Sequence, residues 1–118
     1  MKVYTLSVAV TDPLTHPLRA RKEMALINRL PGLLGAYPGW PAAIFAFATV
    51  PHAERAREML RKAGTSCGKY IMEGELDEGG QHLQIGGPVC GWDNVEPGDL
   101  VEDPEKGRGI VEFFMPGK

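Results

Sequence analysis

The side chains best able to bind a metal or act as nucleophiles are three histidines and two cysteines. They are His16, His52, Cys67, His82 and Cys90. Zinc ligands usually come in pairs roughly three to six positions apart, and no two of these five residues are that close. A catalytic thiolate also needs a base within hydrogen-bond reach, whereas His52 and Cys67 lie at opposite ends of one predicted helix. The sequence therefore predicts no catalytic residue, no metal site and no cofactor.

Like the histidines and cysteines, the acidic and glycine-rich segments do not indicate an enzyme. Glu73 and Glu75 would share one face of a strand, which makes paired-carboxylate chemistry conceivable. Acids beside a turn such as Gly79-Gly80 are, however, typical of a solvated strand end. No glycine-rich loop has the spacing that cradles a phosphate. The sequence leaves enzymatic activity undecided and favours a protein without it.

Charge is distributed unevenly along the chain. The net charge of the 118 residues is −2, and the isoelectric point is about 5.9. The residues up to Lys62 carry nine basic and four acidic side chains, and the remainder carries a net charge of −7. Solvated helix faces and acidic loops produce such a pattern, and so does a dipolar surface that docks a charged partner or a second copy.

Aromatic residues in loops rich in proline and glycine are candidate contact residues. Trp, Tyr and Arg dominate the energetics of protein interfaces, which draws attention to Tyr37, Trp40, Trp92 and the adjacent Asp93. The predicted partner-binding set adds five basic residues from two predicted helices: Arg19, Lys22, Arg29, Arg55 and Arg61. If the protein instead binds a small molecule, the candidate residues are His16, Tyr37 and His52.

Hydrophobic periodicity predicts the elements that position these residues. Alternation predicts a first strand, and Ala20, Met24, Ile27 and Leu30 recur at the spacing of a helix's buried face. The predicted elements are a strand at 3–10, a helix at 18–30, a hairpin at 33–50, a helix at 51–64 and strands at 69–76 and 82–85. The order β-α-β-β-α-β predicts an α+β, ferredoxin-like sandwich for residues 1–85.

Residues 86–118 form a second, acidic segment rich in glycine and proline. Strand patterns at 99–103 and 109–114 predict a β-hairpin, which is similar to the hairpins of SH3-like barrels. A segment of this length is too short to fold alone. We therefore expect a C-terminal β-rich extension that packs on the core, either adding strands to the sheet or lying across its open face.

Two aromatic strands resemble a nucleic-acid-binding family. Val3-Tyr4 and Phe45-Ala46-Phe47 are placed similarly to the RNA-contacting strands of the RNA recognition motif. If Tyr4 faced solvent, however, Leu6 and the valines of the same face would do so too, and burying that face is worth several kcal/mol more at about 25 cal/mol per Å². These aromatics are therefore expected in the core. The opposite face then carries Thr5, Ser7, Ala9, Ala42, Ile44, Ala46 and Ala48.

These observations favour one function over two alternatives. The sequence shows no arrangement of catalytic residues, its charge is unevenly distributed, and several aromatic residues lie in loops. These features predict a non-enzymatic binding module that acts through protein–protein contact, as regulatory subunits and phage-encoded inhibitors do. The first alternative is a small dimeric ferredoxin-like enzyme or ligand-binding protein. The second is nucleic-acid binding through the basic helices. Since no signal peptide and no membrane-spanning run is present, a cytoplasmic protein without a membrane partner is expected, and a homodimer is compatible with the composition.

Overall fold

In the described part of the chain, one antiparallel sheet packs with two helices, which confirms the α+β prediction. The computed structural model describes residues 1–37, 42–93, 99–100, 109–111 and 115–116. The strands are β1 (Lys2–Val8), β2 (Leu33–Tyr37), β3 (Ala43–Phe47), β4 (Cys67–Leu76), β5 (Leu83–Gly91), β6 (Gly109–Val111) and β7 (Met115–Pro116). The helices are α1 (Pro17–Ile27) and α2 (Val50–Lys62).

The sheet is wider than the sequence predicted. Its strand order is β6-β5-β4-β1-β3-β2-β7, and all neighbouring strands are antiparallel. Strands β1 to β5 form the body of the sheet, and the short β6 and β7 pair with its two edges. This order differs from that of a four-stranded ferredoxin-like sandwich, because the segments after β4 extend the sheet on both sides. Strand β5 also runs across the predicted boundary at residue 85.

Part of the predicted C-terminal extension can be placed on the core. The hairpin residues 101–108 and 112–114 lie outside the described residues, as does the turn at 38–41 that contains Trp40. The backbone N–H of Leu100 donates to the carbonyl of Cys67 at 3.1 Å, and Leu100 forms a parallel bridge with Gly68. Residues 99–100 are therefore held against the start of β4.

The core between sheet and helices contains the aromatic face predicted from strand parity. Leu6, Val8, Phe45 and Phe47 are each at most 5% exposed and belong to one apolar cluster with residues of both helices. Tyr4 packs against this cluster as a partly buried residue. The prediction that these side chains lie under the helices rather than on an RNA-binding surface is confirmed.

A second apolar cluster lies on the opposite face of the sheet. Its buried members are Val3, Ala46, Met72, Leu76, Leu83 and Ile85. Thr5, on the same face, is 2% exposed and donates its hydroxyl to the carbonyl of Met72 at 3.2 Å. Thr5 and Ala46 are thus buried within a single chain and do not belong to a surface free for a second subunit.

Candidate protein-binding interface

Helix α1 turns an acidic residue toward the interior along with two apolar ones. The periodicity placed Met24 in the buried face, but Met24 is 53% exposed and Glu23 is 7% exposed. The Glu23 carboxylate accepts hydrogen bonds from the N–H of Thr11 at 2.7 Å, the hydroxyl of Thr11 at 2.9 Å and the hydroxyl of Thr65 at 2.9 Å. Three donors offset the cost of burying a carboxylate. These contacts set the rotation of α1 about its axis, and the prediction for Met24 is wrong.

Because Glu23 faces inward, Met24 faces outward, and two leucines nearby are exposed as well. Leu14 is 93% exposed, Leu18 is 72% exposed and Met24 is 53% exposed. We call the α1 face the surface formed by these three residues and the neighbouring cations: Leu14, Leu18, Arg21, Lys22, Met24 and Arg29. Leu18 and Met24 are about 120° apart around the axis of α1 at 3.6 residues per turn, so Arg21 lies between them.

The positive charges on and beside the α1 face are not compensated within the described part of the chain. Arg19, Arg21, Lys22 and Arg29 form no salt bridge with any described carboxylate. Arg19 donates instead to the carbonyl of Gly64 at 2.9 Å, and the Nε of Arg29 donates to the carbonyl of Ala25 at 3.1 Å. The only acidic residue between positions 14 and 29 is the buried Glu23. The outer surface of α1 therefore combines apolar side chains with charge of one sign.

The cations of α2 are, by contrast, largely paired. Arg57 is 3% exposed, and its Nη2 lies 3.3 Å from Oδ2 of Asp99. The Nε of Arg61 lies 3.5 Å from Oδ1 of the same carboxylate, and Lys62 pairs with Glu58 at 3.2 Å. Arg57 also donates its Nε to the carbonyl of Gly68 at 3.1 Å.

Arg57 is a buried residue that the sequence analysis missed. Its guanidinium carbon lies 4.3 Å from the centroid of the Trp92 ring, a cation–π distance. The available signal was its spacing, since Arg57 follows the buried Ala53 by four positions and precedes the buried Leu60 by three. An arginine at an inward position indicates a buried acidic partner, and Asp99 is that partner.

A shallow groove of about 700 Å³ runs along α2. It brings together three of the predicted partner-binding residues, Arg55, Arg61 and Trp92. The remaining lining residues are Pro51, Glu54, Arg57, Glu58 and Lys62. Because two glutamates stand among these cations, the groove has mixed charge, unlike the α1 face.

The predicted aromatic contact residues do not share one surface. Tyr37 ends β2 and packs against the cluster on the helix-free face of the sheet. Trp92 packs against the cluster beneath the helices, and the exposed Asp93 follows it. A single partner surface therefore cannot be built from Tyr37 and Trp92 together.

The three residues predicted for small-molecule binding lie on separate elements. His16 is the N-cap residue of α1, and Tyr37 lies on the other side of the sheet. His52 belongs to the first turn of α2, where its Nδ1 lies 2.9 Å from the hydroxyl of Thr49. Its ring packs against Gly32, which has a φ of +74° and leaves no room for a β-carbon. In the described ranges, no three His, Cys, Asp or Glu side chains are arranged to hold a metal ion.

The acidic end of the β4–β5 hairpin has Lys2 and His82 beside it. Lys2 pairs with Glu73 at 3.5 Å, and the ring of His82 lies 2.9 Å from the Asp77 carboxylate. The hydrogen bond from the His82 side chain is the main reason why the pKa of Asp77 is lowered. This end of the molecule thus differs from the α1 face, whose cations have no carboxylate partner among the described residues.

The two cysteines are expected to differ in reactivity toward iodoacetamide. Burial raises the pKa of the Cys67 thiol to about 12, so roughly one molecule in 10,000 carries the thiolate at pH 8. Cys90 is only partly buried, although burial raises its pKa as well. We expect one thiol, that of Cys90, to be alkylated in the native protein, and both in urea. Peptide mass spectrometry measures the sites, and rapid native labelling of Cys67 would contradict its placement.

No helix in the described part of the chain has the length and apolar character needed to cross a membrane. Comparison with protein-family models, with curated proteins and with solved structures finds no match.

Proposed function

We propose that this protein is a non-enzymatic binding module that contacts a partner protein through the outer surface of its helix layer. The observation that carries the proposal is the α1 face. Three large apolar side chains are exposed there among cations that have no carboxylate partner in the described residues. Covering a Leu or Met side chain gains about 1.5–3 kcal/mol, so this surface has more to gain from a protein contact than from water.

Nucleic-acid binding through the same helices is less well supported. Phosphates would accept hydrogen bonds from Arg21 and Lys22, but they would gain nothing from Leu14 and Leu18. Single-stranded nucleic acids also stack on aromatic side chains, and the α1 face has none. The small-molecule alternative is weaker still, because His16, Tyr37 and His52 lie on separate elements.

Two finer proposals concern the scaffold and its assembly. The ferredoxin-like assignment of residues 1–85 is supported as far as β4, because the elements follow the order β-α-β-β-α-β and β3 lies between β1 and β2. Homodimer formation also stays a proposal, and the buried Thr5–Ala46 face is not the surface available for it.

The proposal is tested by capture of a partner from a lysate of the native host. Tagged protein is incubated with the lysate with and without nuclease, and bound proteins are identified by mass spectrometry. A photo-crosslinking amino acid at position 18 reports whether the contact is on α1. Leu18→Ser and the double variant Arg21→Glu/Lys22→Glu test the surface, and Val89→Thr on β5 is the control because Val89 is also exposed, at 45%.

We expect a nuclease-resistant partner that crosslinks at position 18 and is retained by Val89→Thr. The α1 variants should recover at least 10-fold less of it. Capture that disappears with nuclease would support the nucleic-acid alternative instead. Equal capture by all variants would contradict the proposal, and so would recovery of the protein alone.

A further inference from the structure

We propose that the gap between β5 and β2 is a binding site for an extended strand, and that the chain's own C-terminal strands fill it and close the sheet into a barrel. β6 pairs with the β5 edge of the sheet, and β7 pairs with the β2 edge. We call these two short strands together the C-terminal strap. An unpaired edge offers its N–H and C=O groups to any passing chain, and the strap satisfies both edges at once. The site is formed by sheet edges and does not depend on the helix-layer surface of the proposed function.

The connection between β6 and β7 is too short for an open sheet. Three residues separate Val111 from Met115. The Cα atoms of these two residues therefore lie no more than about 14 Å apart. In the strand order β6 and β7 are six intervals apart, which corresponds to about 29 Å across a flat sheet at about 4.8 Å per interval. The two edges must therefore curve toward each other.

The directions of the strands also fit closure. All neighbouring strands are antiparallel, so β6 and β7, at the first and seventh places in the order, run in the same direction. The chain can therefore pass from β6 to β7 without reversing. When the strap counts as one place, the described strands occupy six places in the ring. Alternating directions match at the seam of a closed barrel only when that number is even.

The helix-free face of the sheet is buried as the interior of a barrel would be. Val3, Ala46 and Leu83 are fully buried, yet their apolar cluster contains no described residue of either helix. Members of this cluster come from each of the strands β1 to β5. An antiparallel sheet that stays open commonly leaves one face in water. A small barrel instead fills its interior with side chains from all its strands.

Irregular pairing within the sheet provides the curvature. The register shifts between β1 and β4, between β2 and β3, and between β4 and β5. Bulges of this kind bend strands and are frequent in barrels. A β-carbon on Gly74 of β4 would lie 3.1 Å from Cδ1 of Leu83 and 3.4 Å from Cγ2 of Val3, both members of the interior cluster. Glycine at this position lets the neighbouring side chains approach closely on the inner face.

The chain's own segment can reach the site, so a second copy is not needed to supply the strap. Leu100 forms a bridge with Gly68 near the start of β4, and Gly109 pairs with Ile85 of β5. Ile85 pairs with Gly74, which follows Gly68 by six positions. The two anchor points are thus about 20 Å apart along the strands and at most about 15 Å apart across them. The nine steps from Leu100 to Gly109 span up to about 30 Å.

Hydrogen–deuterium exchange of the full chain, resolved by residue with NMR, tests the strap. Ile110→Pro in β6 removes a backbone donor beside β5, and Met115→Pro in β7 removes one beside β2. Ile110→Val and Met115→Leu are the matched controls, because they keep the backbone N–H. The amide of Leu6 in the central strand β1 reports whether each variant is folded.

We expect each proline variant to accelerate exchange roughly 10-fold or more at both edges, at residues 83–85 and at residues 35–36, because one strap covers both. Leu6 and the two control variants should keep their protection. In the wild type at increasing denaturant concentration, the edge amides that face the strap should share one free energy of opening, lower than that of Leu6. This wild-type measurement decides the matter even if a proline variant does not fold.

Three outcomes would overturn the inference. Faster exchange only at the edge beside the substituted strand would show that β6 and β7 are independent edge strands. Different opening free energies at the two edges of the wild type would show the same. Edge protection that increases with protein concentration would show that a second copy supplies the strand in place of the chain's own segment.

Discussion

Replacing Asp99 with alanine is expected to lower the free energy of unfolding by about 3–5 kcal/mol. The side chains of Asp99 and Arg57 are 7% and 4% exposed, and their charged groups lie 3.3 Å apart. Removing one member of a buried ion pair takes away the counter-charge that offsets the desolvation of the other, which costs about that amount. Arg61 would lose the same carboxylate, since its Nε lies 3.5 Å from Oδ1 of Asp99. Urea unfolding followed by far-ultraviolet circular dichroism measures the change.

Two variants provide the controls for this prediction. One replaces an exposed aspartate, and the other replaces both charged residues of the ion pair. Asp93→Ala should change the free energy of unfolding by less than about 0.5 kcal/mol, because Asp93 is exposed. Replacing both charges in the variant Arg57→Met/Asp99→Leu should recover part of the loss, since it removes the buried cation together with the carboxylate that offsets its desolvation. A loss below about 1 kcal/mol in Asp99→Ala would show that the pair does not hold residues 99–100 against α2.

Replacing Glu23 with alanine is expected to lower the free energy of unfolding by about 2–4 kcal/mol. The carboxylate is the acceptor for the backbone N–H of Thr11 and for the hydroxyls of Thr11 and Thr65. A buried donor left without an acceptor costs about 1–3 kcal/mol, and the hydroxyls can partly recover by rotating toward other acceptors. A loss of about 3 kcal/mol corresponds to a fall in Tm of roughly 10–20 °C, which differential scanning calorimetry measures.

The matched control is Glu58→Ala on α2, whose side chain is 66% exposed and pairs with Lys62. It should lower Tm by no more than roughly 2–4 °C, because an exposed pair within a helix contributes about 0.5 kcal/mol. Glu23→Gln retains one acceptor oxygen and should fall between the two. If Glu23→Ala and Glu58→Ala behaved alike, the three hydrogen bonds would not set the rotation of α1.

The layout of secondary structure and the composition of the central core followed from local pattern. Alternation along β1 and β3 separates large from small side chains, so burial of the larger set was determined by the residues themselves. Pro17 and Pro51 each lie in the first turn of a helix, where the missing N–H costs nothing. The sequence also indicated that Arg19, Lys22 and Arg29 lie on the polar side of α1, and all three are exposed.

The rotation of α1 and the burial of Arg57 were decided by contacts between distant parts of the chain. The periodicity allows either Glu23 or Met24 to face inward, and Glu23 does so because its hydrogen-bond donors stand 12 and 42 positions away. Arg57 is buried because Asp99, also 42 positions away, provides its counter-charge. The hydrophobic pattern of a single helix does not reveal either pairing, because each partner lies outside that helix. The exposure of Met24 therefore emerged only with the tertiary structure, since the same rotation that buries the Glu23 carboxylate turns Met24 outward.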